Sequence, residues 1–191
     1  MDYIITALIS YLFGSIPFGY IFTKIFLKKD IRNVGSGNIG ATNVLRTGNK
    51  RLGYLTLILD ILKAVIPVIY VKLYYPDLIF ISALCAFLGH LFPVWLKFDG
   101  GKGVATFVGI LISINIYYAL IFGIIWVLTF IMSKYSSLSS LIASASIPIY
   151  ILILGSGNFI FFTIMFVLIF YTHRENIKRL INKEETKSKI Y

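Results

Sequence analysis

The sequence has few charged residues, and acidic ones are the scarcest. Only 14% of its 191 residues are charged and 58% are hydrophobic, whereas a typical soluble domain carries roughly a quarter charged residues. This composition excludes a soluble enzyme. The apolar runs between the charges exceed the roughly 20 residues that cross a bilayer core, which predicts an all-α polytopic membrane protein.

Cysteine and histidine are also scarce, with one and two residues respectively. Cys85 lies in an apolar stretch, so a disulfide framework and a CxxC site are excluded, and the thiol is interpreted as a small buried hydrophobic group. So few histidines and cysteines leave little for a covalent catalytic route. We expect no metal and no other cofactor.

The apolar runs predict seven membrane-spanning helices in a single domain over residues 1–191, with the first run retained as a span. A single helix over residues 138–172 would be about 52 Å long, which tilt does not absorb, so turn residues near 113–115 and 155–158 divide the last two runs. A five-span arrangement, in which each of those runs crosses once, is the alternative. The predicted spans are 3–27, 52–75, 78–96, 104–114, 117–133, 139–154 and 158–172.

The basic residues predict the orientation, because Lys and Arg concentrate on the cytoplasmic side of membrane proteins. The chain has 18 Lys and Arg against 8 Asp and Glu, a formal charge of +10. Seven spans with the N-terminus outside place the C-terminus and nearly all the basic residues in the cytoplasm. We therefore interpret the excess charge as a topology signal and expect no nucleic-acid partner. In the five-span arrangement, Lys134 and the serine-rich turn after it lie outside.

Glycine and polar residues are dense in the segment after the first span. Glycines let backbone N–H groups converge on an anion, hydroxyl and amide side chains add donors, and an arginine supplies charge. A dinucleotide-binding fingerprint is excluded, since the segment follows a membrane span rather than a strand. We expect a phosphate group here, against the alternative of a flexible connector. The residues are Gly35, Ser36, Gly37, Asn38, Gly40, Thr42, Asn43 and Arg46.

A second glycine-rich segment surrounds a lysine at the start of a span. Gly100, Gly101 and Gly103 expose the backbone around Lys102, where the helix N-terminus favours an anion. The order of residues is not that of a Walker A loop, because a glycine rather than Ser or Thr follows the lysine. His90, just before this segment, is interpreted either as a structural residue or as a base.

The last two cytoplasmic segments are a serine-rich turn at residues 135–140 and a basic tail. On one helix, His173, Asn176 and Arg179 share a face and offer a base, an amide and a guanidinium. A basic helix held to anionic lipid headgroups is the alternative for the tail. A polar turn or helix cap is the alternative for the serines.

Two opposite charges lie inside the second predicted span. Asp60 and Lys63 are three residues apart, so they share a helix face and can pair. Isolated charge is costly in a bilayer, so we expect an inward-facing pair near the inner leaflet that supports the site structurally. A direct catalytic role is the alternative.

Taken together and in this order, the motifs resemble the bacterial acyl-phosphate:glycerol-3-phosphate acyltransferase family, PlsY, over nearly the whole chain. The resemblance implies a multi-pass enzyme of the bacterial cell membrane, with seven spans and an active site facing the cytoplasm. It further implies transfer of a fatty acyl group from acyl phosphate to the 1-hydroxyl of sn-glycerol 3-phosphate. The products would be lysophosphatidic acid and phosphate, in the first acylation of phospholipid synthesis. The matching stretches are residues 35–43, Asp60-x-x-Lys63, Gly89-His90-x-x-Pro93, residues 100–106 and His173-x-x-Asn176-Ile177-x-Arg179-Leu180.

The resemblance also implies roles for individual residues. The expected partners are the two substrates, membrane lipids and the enzyme that makes acyl phosphate. Catalytic roles fall on Ser36, Arg46, Lys102, Ser140, His173 and Asn176. Substrate-binding roles fall on Gly35, Gly37, Asn38, Gly40, Thr42, Asn43, Gly100, Gly101, Gly103, Ser137 and Arg179.

Three positions depart from the family pattern. Asp99 stands where a basic residue is usual, and Ala64 and Lys183 stand where glycine is usual. An acidic group beside the second glycine segment would oppose a bound phosphate. Asp99 is therefore expected to point away or to pair with Lys97 or Lys102.

The residue chemistry suits the implied reaction. Acyl phosphate is an activated mixed anhydride, so positioning and anion stabilisation can supply most of the rate. We expect direct attack by the glycerol hydroxyl, with Arg46 and Lys102 holding the two phosphates. His173 or a substrate phosphate would take the proton, and we favour a positioning role for His173. A transporter of an organic phosphate is the rival class, but the sequence halves show no repeat and the polar residues cluster at one face.

Overall fold

The computed structural model describes residues 2–155 and 158–187, and throughout these residues the regular structure is helical. Three short 3₁₀ turns cover Ile31–Asn33, Pro76–Leu78 and Val94–Leu96. The α-helices are α1 Tyr3–Gly14, α2 Phe18–Phe26, α3 Ala41–Leu45, α4 Lys50–Tyr74, α5 Ile79–Leu91, α6 Val104–Ile114, α7 Ile116–Ser133, α8 Ser136–Leu154, α9 Phe159–Thr172 and α10 Arg174–Ile181.

Most of these helices are long and apolar enough to cross a membrane. Five segments in the described residues meet that requirement, and α9 with α10, bent by 60° at their junction, would make a sixth. Helix α6 is apolar but shorter. The chain is thus a multi-pass membrane protein with five to six candidate spans. The five segments are Tyr3–Phe26, Lys50–Tyr74, Pro76–Leu96, Ile116–Ser133 and Ser136–Leu154.

The first span is not the continuous helix that the sequence predicts. Its helix breaks between Gly14 and Phe18, because Pro17 has no backbone N–H to continue the ladder. The Ile16 carbonyl oxygen, at this break, lies in the middle of an apolar segment. There it accepts a hydrogen bond of 2.8 Å from the Lys63 ammonium. A polar site inside the span is the result.

The two breaks predicted in the later runs are confirmed. Asn115 separates α6 from α7, and its side chain caps α7 by accepting from the Tyr117 N–H over 3.0 Å. Helix α8 ends at Leu154 and α9 begins at Phe159. Gly155 and Asn158 have left-handed φ values of 61° and 77°, and residues 156 and 157, between them in the predicted break, lie outside the described part of the chain.

The chain divides into two compact units, residues 1–114 and 115–191. In the first unit, α1 packs on α5 and α4 packs on α6. These pairs approach closely at glycines, since a Cβ at Gly14 would overlap the Ala86 carbonyl and one at Gly109 would overlap the Ile61 carbonyl. In the second unit, α8 packs on both α7 and α9.

A buried apolar cluster in the first unit joins the two glycine-rich segments. Leu96 comes from the turn before the second segment and packs with residues of the first segment and of α4. Both segments are therefore anchored on one piece of core, which fixes their backbones relative to each other. The members are Ile31, Ile39, Val44, Leu52 and Leu96.

Candidate active site

The first glycine-rich loop, residues 31–46, is organised around the side chain of Asn43. This amide is only 2% exposed, and its Nδ2 donates to the carbonyls of Val34 and Asn38, each over 2.8 Å, and of Ile31 over 3.2 Å. Its Oδ1 accepts from the backbone N–H of Ser36 over 2.9 Å. Asn43 thus shapes the loop from inside.

The backbone of this loop requires glycine at two positions. Gly35 and Gly37 have φ values of 56° and 73°, which other residues rarely adopt. A Cβ at Gly35 would also overlap the Asn43 amide oxygen. The side chain of Asn38 accepts from the Gly40 N–H over 3.0 Å and closes the next turn. The glycines predicted as anion-binding residues are therefore needed to form the loop itself.

The polar side chains at the surface of this loop include the guanidinium of Arg46. Arg46 follows α3 and is exposed, as is Thr42, while Ser36 is half-buried. The Arg46 guanidinium forms no ion pair with any carboxylate of residues 2–155 and 158–187. A cation beside a glycine-rich backbone is a suitable group for holding a phosphate.

The second glycine-rich segment, residues 97–103, which we call the glycine loop, lies against the end of α5. The Gly101 N–H donates to the His90 carbonyl over 3.0 Å, and a Cβ at Gly101 would overlap the His90 ring. Gly103 has a φ of 84°, and a Cβ there would overlap the Phe87 ring. Lys102, half-buried between these two glycines, lies two residues before the first residue of α6.

The predicted intramembrane ion pair is confirmed. Lys63 Nζ lies 2.8 Å from Asp60 Oδ1, and both side chains are almost fully buried. His90 Nδ1 lies 3.9 Å from the same carboxylate oxygen. His90 is itself 4% exposed, which favours the structural interpretation of this residue over that of a base in contact with solvent.

Arg32, in the first glycine-rich loop, forms a surface ion pair with Asp30. Two hydrogen bonds from Arg32 hold the pKa of Asp30 at about 2, below its usual 3.8. The hydrogen bond to Asp30 raises the pKa of Arg32, and the negative charges of Asp30 and Asp99 add to that rise. The guanidinium also stacks on the Tyr20 ring, 5.1 Å from its centroid. The charge of Asp99 thus favours the protonated form of Arg32.

In the second unit, three predicted site residues converge on one carboxylate, that of Glu185. Its Oε1 accepts from Ser137 Oγ over 2.9 Å and from Asn176 Nδ2 over 2.7 Å, and its Oε2 accepts from Arg179 Nε over 2.8 Å. We call these four residues the carboxylate cluster. Partial burial raises the pKa of Glu185, but the bonds from Arg179, Asn176 and Ser137 outweigh it and hold that pKa below its usual value.

Glu185 was not predicted as a site residue, because it lies in a C-terminal segment in which basic residues predominate. The chain turns back after α10 because Lys183 adopts a left-handed φ of 61°. The backbone N–H of Glu184 then donates to the Arg179 carbonyl over 2.8 Å. The family pattern usually has a glycine at the position that Lys183 occupies here. That glycine was a signal for this turn, since glycine is the common residue just after a helix end.

His173 lies at the bend between α9 and α10, so of the three residues predicted to share one helical face, only Asn176 and Arg179 lie within one helix. The 60° bend places His173 at the end of α9, where its φ is −92°. Its Nδ1 lies 2.8 Å from the Ile169 carbonyl oxygen. Since a carbonyl only accepts, Nδ1 carries the proton, and the lone pair of the neutral ring is on Nε2.

Ser140 is 4% exposed and is held inside the second unit. Its hydroxyl donates to the Ser136 carbonyl over 2.9 Å and accepts from the indole Nε1 of Trp126 over 3.1 Å. Trp126 was not singled out in the sequence, because an aromatic residue in an apolar run is most simply read as lipid-facing. No group of three or more potential metal ligands occurs in the described part of the chain.

Comparison with known proteins identifies the family. The model of the glycerol-3-phosphate acyltransferase family matches residues 4–183. The glycerol-3-phosphate acyltransferase of Pelagibacter ubique (strain HTCC1062) is 71% identical over 191 residues, which is 100% of both chains. That of Rhodopseudomonas palustris (strain HaA2) is 50% identical over 190 residues, covering 98% of this chain and 95% of the relative.

Two solved structures share the fold. The crystal structure of PlsY (YgiH), an integral membrane glycerol 3-phosphate acyltransferase, in its glycerol 3-phosphate form superposes with a TM-score of 0.92 at 36% identity, covering 98% of this chain and 96% of that one. Its lysophosphatidic acid form superposes with a TM-score of 0.89 at 34% identity, covering 98% and 95%. The chain therefore belongs to the PlsY family of integral membrane glycerol-3-phosphate acyltransferases.

Proposed function

We propose that the protein transfers a fatty acyl group from acyl phosphate to the 1-hydroxyl of sn-glycerol 3-phosphate, producing lysophosphatidic acid and phosphate. The observation that carries the proposal is the pair of glycine-rich loops anchored on one buried cluster, each with a basic residue that we assign to a phosphate, Arg46 in the first and Lys102 in the second. The solved relative, captured with glycerol 3-phosphate and with lysophosphatidic acid, supports the acceptor and the product.

The first unit supplies the phosphate-binding groups in this proposal. Arg46 holds one phosphate through its guanidinium, and Lys102 holds the other as a point charge within the glycine loop. The side chains of Ser36 and Thr42 orient phosphate or glycerol oxygens in this scheme. The backbone N–H groups of Gly35, Gly100 and Gly103 supply further donors, whereas those of Gly37, Gly40 and Gly101 are used inside the loops. Asn43 acts by keeping the first loop in shape, because its amide is occupied inside that loop.

The second unit supplies groups whose positions are fixed by the protein itself. Asn176 and Arg179 are held by Glu185, so both enter the reaction already oriented. His173 is oriented by its bond to the Ile169 carbonyl. Ser137 and Ser140 are the further polar groups of this unit in the scheme, and the bond from Trp126 fixes the Ser140 hydroxyl.

The reaction proceeds by direct attack. The 1-hydroxyl oxygen forms a bond to the acyl carbonyl carbon, and the bond from that carbon to the phosphate oxygen breaks. Phosphate leaves with the electron pair, and the hydroxyl proton passes to a phosphate oxygen or to His173. Because the anhydride is already activated, preorganised cations and N–H donors supply the main stabilisation of the developing negative charge. No metal or other cofactor takes part in this scheme.

The proposed setting is the bacterial cell membrane, with seven spans and the reacting groups at the cytoplasmic face. The bias of Lys and Arg supports this orientation. Seven spans require α6 and α9 each to cross, although α6 covers only 11 residues. The soluble acceptor and the basic loops would then meet in the cytoplasm, and the product would remain in the bilayer.

Purified protein in detergent, supplied with palmitoyl phosphate and glycerol 3-phosphate, tests the proposal. Lysophosphatidic acid should form, and palmitoyl-CoA in place of the acyl phosphate should give none. A transporter would instead move glycerol 3-phosphate into liposomes without forming lipid product. That result would overturn the enzymatic assignment, and product formation from palmitoyl-CoA alone would overturn the donor.

A further inference from the structure

His90 is buried at the last turn of α5, where it contacts the glycine loop with both its backbone and its side chain. The His90 carbonyl accepts from the Gly101 N–H over 3.0 Å. On the side-chain face, a Cβ at Gly101 would overlap the ring nitrogen Nε2 and would lie 2.7 Å from Cε1. The ring therefore packs directly against the backbone of the residue that precedes Lys102.

The opposite edge of the same ring faces the intramembrane ion pair. His90 Nδ1 has no hydrogen-bond partner within the described residues and lies 3.9 Å from Asp60 Oδ1. Asp60 is paired with Lys63 over 2.8 Å, and Lys63 in turn donates to the carbonyl oxygen of Ile16 over 2.8 Å. The ring is thus enclosed between a polar group fixed in the spans and the loop.

These contacts form a path from the break in the first span to the glycine loop. Thr106 adds a link from the loop's own helix, since its hydroxyl donates to the Asp60 carbonyl over 3.3 Å. Asp60, Lys63, His90 and Thr106 are each at most 4% exposed, so none of these side chains is free to reach a substrate in solvent. A group that is buried and fixed from both sides acts by holding something in place.

We propose that His90 is a positioning residue for the glycine loop, with the Asp60–Lys63 pair orienting its ring. Gly101 packs directly against the ring, and this contact fixes where Lys102 presents its ammonium group. The inference rests on the proposed function in one respect only, that Lys102 holds a phosphate. In this role, the Asp60–Lys63 pair and His90 together hold the glycine loop in place and take no part in the chemical step.

The steric contact permits a decisive test. Gly101→Ala places a methyl group where the His90 ring lies, so the loop must move and Lys102 must move with it. Removing the ring in the double variant His90→Ala/Gly101→Ala leaves room for that methyl group. Each single variant should therefore lower kcat/KM for glycerol 3-phosphate, and the double variant should exceed Gly101→Ala by about tenfold.

Gly100→Ala is the matched control. A Cβ at Gly100 would overlap the backbone carbonyls of His90 and Leu91, and also Pro93, and removing the His90 ring relieves none of these contacts. His90→Ala should therefore give no gain in the Gly100→Ala background. His90→Asn, which keeps a polar group toward Asp60 but lacks the far edge of the ring, should rescue Gly101→Ala as well, and it serves if His90→Ala does not fold.

A binding measurement separates this inference from the function on which it rests. The rise in Tm of the purified protein with added glycerol 3-phosphate reports acceptor binding without turnover. It should fall in Gly101→Ala and return in the double variant. If folded double variants show no gain over Gly101→Ala in either measurement, or if Gly101→Ala resembles wild type, the positioning role is wrong. A wild-type protein that binds the acceptor but forms no lysophosphatidic acid would instead overturn the proposed function.

Discussion

Asn176 donates a hydrogen bond from Nδ2 to Glu185 Oε1 over 2.7 Å, while its own amide oxygen is buried and has no partner within the described residues. A buried acceptor without a partner costs about 1–3 kcal/mol. The carboxylate holds the amide in this orientation because it also accepts from Ser137 and Arg179. We therefore expect Oδ1 of Asn176 to accept a hydrogen bond from the substrate.

Replacing Glu185 should release this cluster. Glu185→Ala removes the acceptor of three hydrogen bonds, one of them from a guanidinium, and should destabilise the protein by about 1–3 kcal/mol and lower kcat/KM. Glu185→Gln should lose less, since one amide oxygen still accepts. The control is Glu184→Gln, because Glu184 is exposed. Thermal unfolding in detergent and the initial rate measure both effects; equal behaviour of the 184 and 185 variants would contradict the assigned role.

Acid should weaken the same cluster. The pKa of Glu185 in the folded protein is below its usual 4.5, so its ionised form stabilises the fold above that value. This contribution is lost as the pH falls from about 4.5 through the lower folded pKa. The Tm of wild type should fall in this window, and Glu185→Gln should reduce the slope. Asp30→Asn should change the slope at lower pH instead, since the pKa of Asp30 is about 2.

His173→Asn distinguishes a base from a positioning residue. If the imidazole removed the hydroxyl proton, the variant would lose about 100- to 10,000-fold in kcat and the acid limb of the pH–rate profile. We expect the smaller effect, seen mainly in KM for glycerol 3-phosphate. The acid limb should remain, because a substrate phosphate titrating near pH 6 would cause it. Its disappearance in the variant would show that His173 is the base.

The ends of α8 test the membrane topology. The 19 residues Ser136–Leu154 extend about 28 Å, close to one bilayer core. In a Cys85→Ser background, Leu154→Cys should react with an impermeant thiol reagent in intact cells, and Ser136→Cys should react only after the cells are opened. Reaction at position 136 in intact cells would favour five spans and place the serine-rich turn outside.

Local patterns predicted much of the helical framework. The 3.6-residue period is sufficient to pair Asp60 with Lys63, and turn residues are sufficient to end α6 before Asn115 and α8 before Gly155. Both features depend on residues within one or two helical turns. Glycine-rich composition is likewise sufficient to predict the two loops.

Features set by tertiary contacts were not predictable in this way. The break at Pro17 lies inside an apolar run, and the Lys63 ammonium that satisfies the Ile16 carbonyl is 47 positions away. Glu185 reaches Ser137 over 48 positions, and it does so only because the chain reverses at Lys183. Periodicity contains no information about such distant partners.

The central claim is that acyl phosphate and glycerol 3-phosphate react directly, and a dual-label assay tests it. Wild-type protein in detergent receives palmitoyl phosphate carrying ¹⁴C in the acyl chain and ³²P in the phosphate, with Lys102→Ala as the control of reduced activity. We predict that ¹⁴C-labelled lysophosphatidic acid and ³²P-labelled phosphate appear in a one-to-one ratio, and only when glycerol 3-phosphate is present. Release of phosphate together with ¹⁴C-labelled protein in the absence of glycerol 3-phosphate would contradict direct transfer.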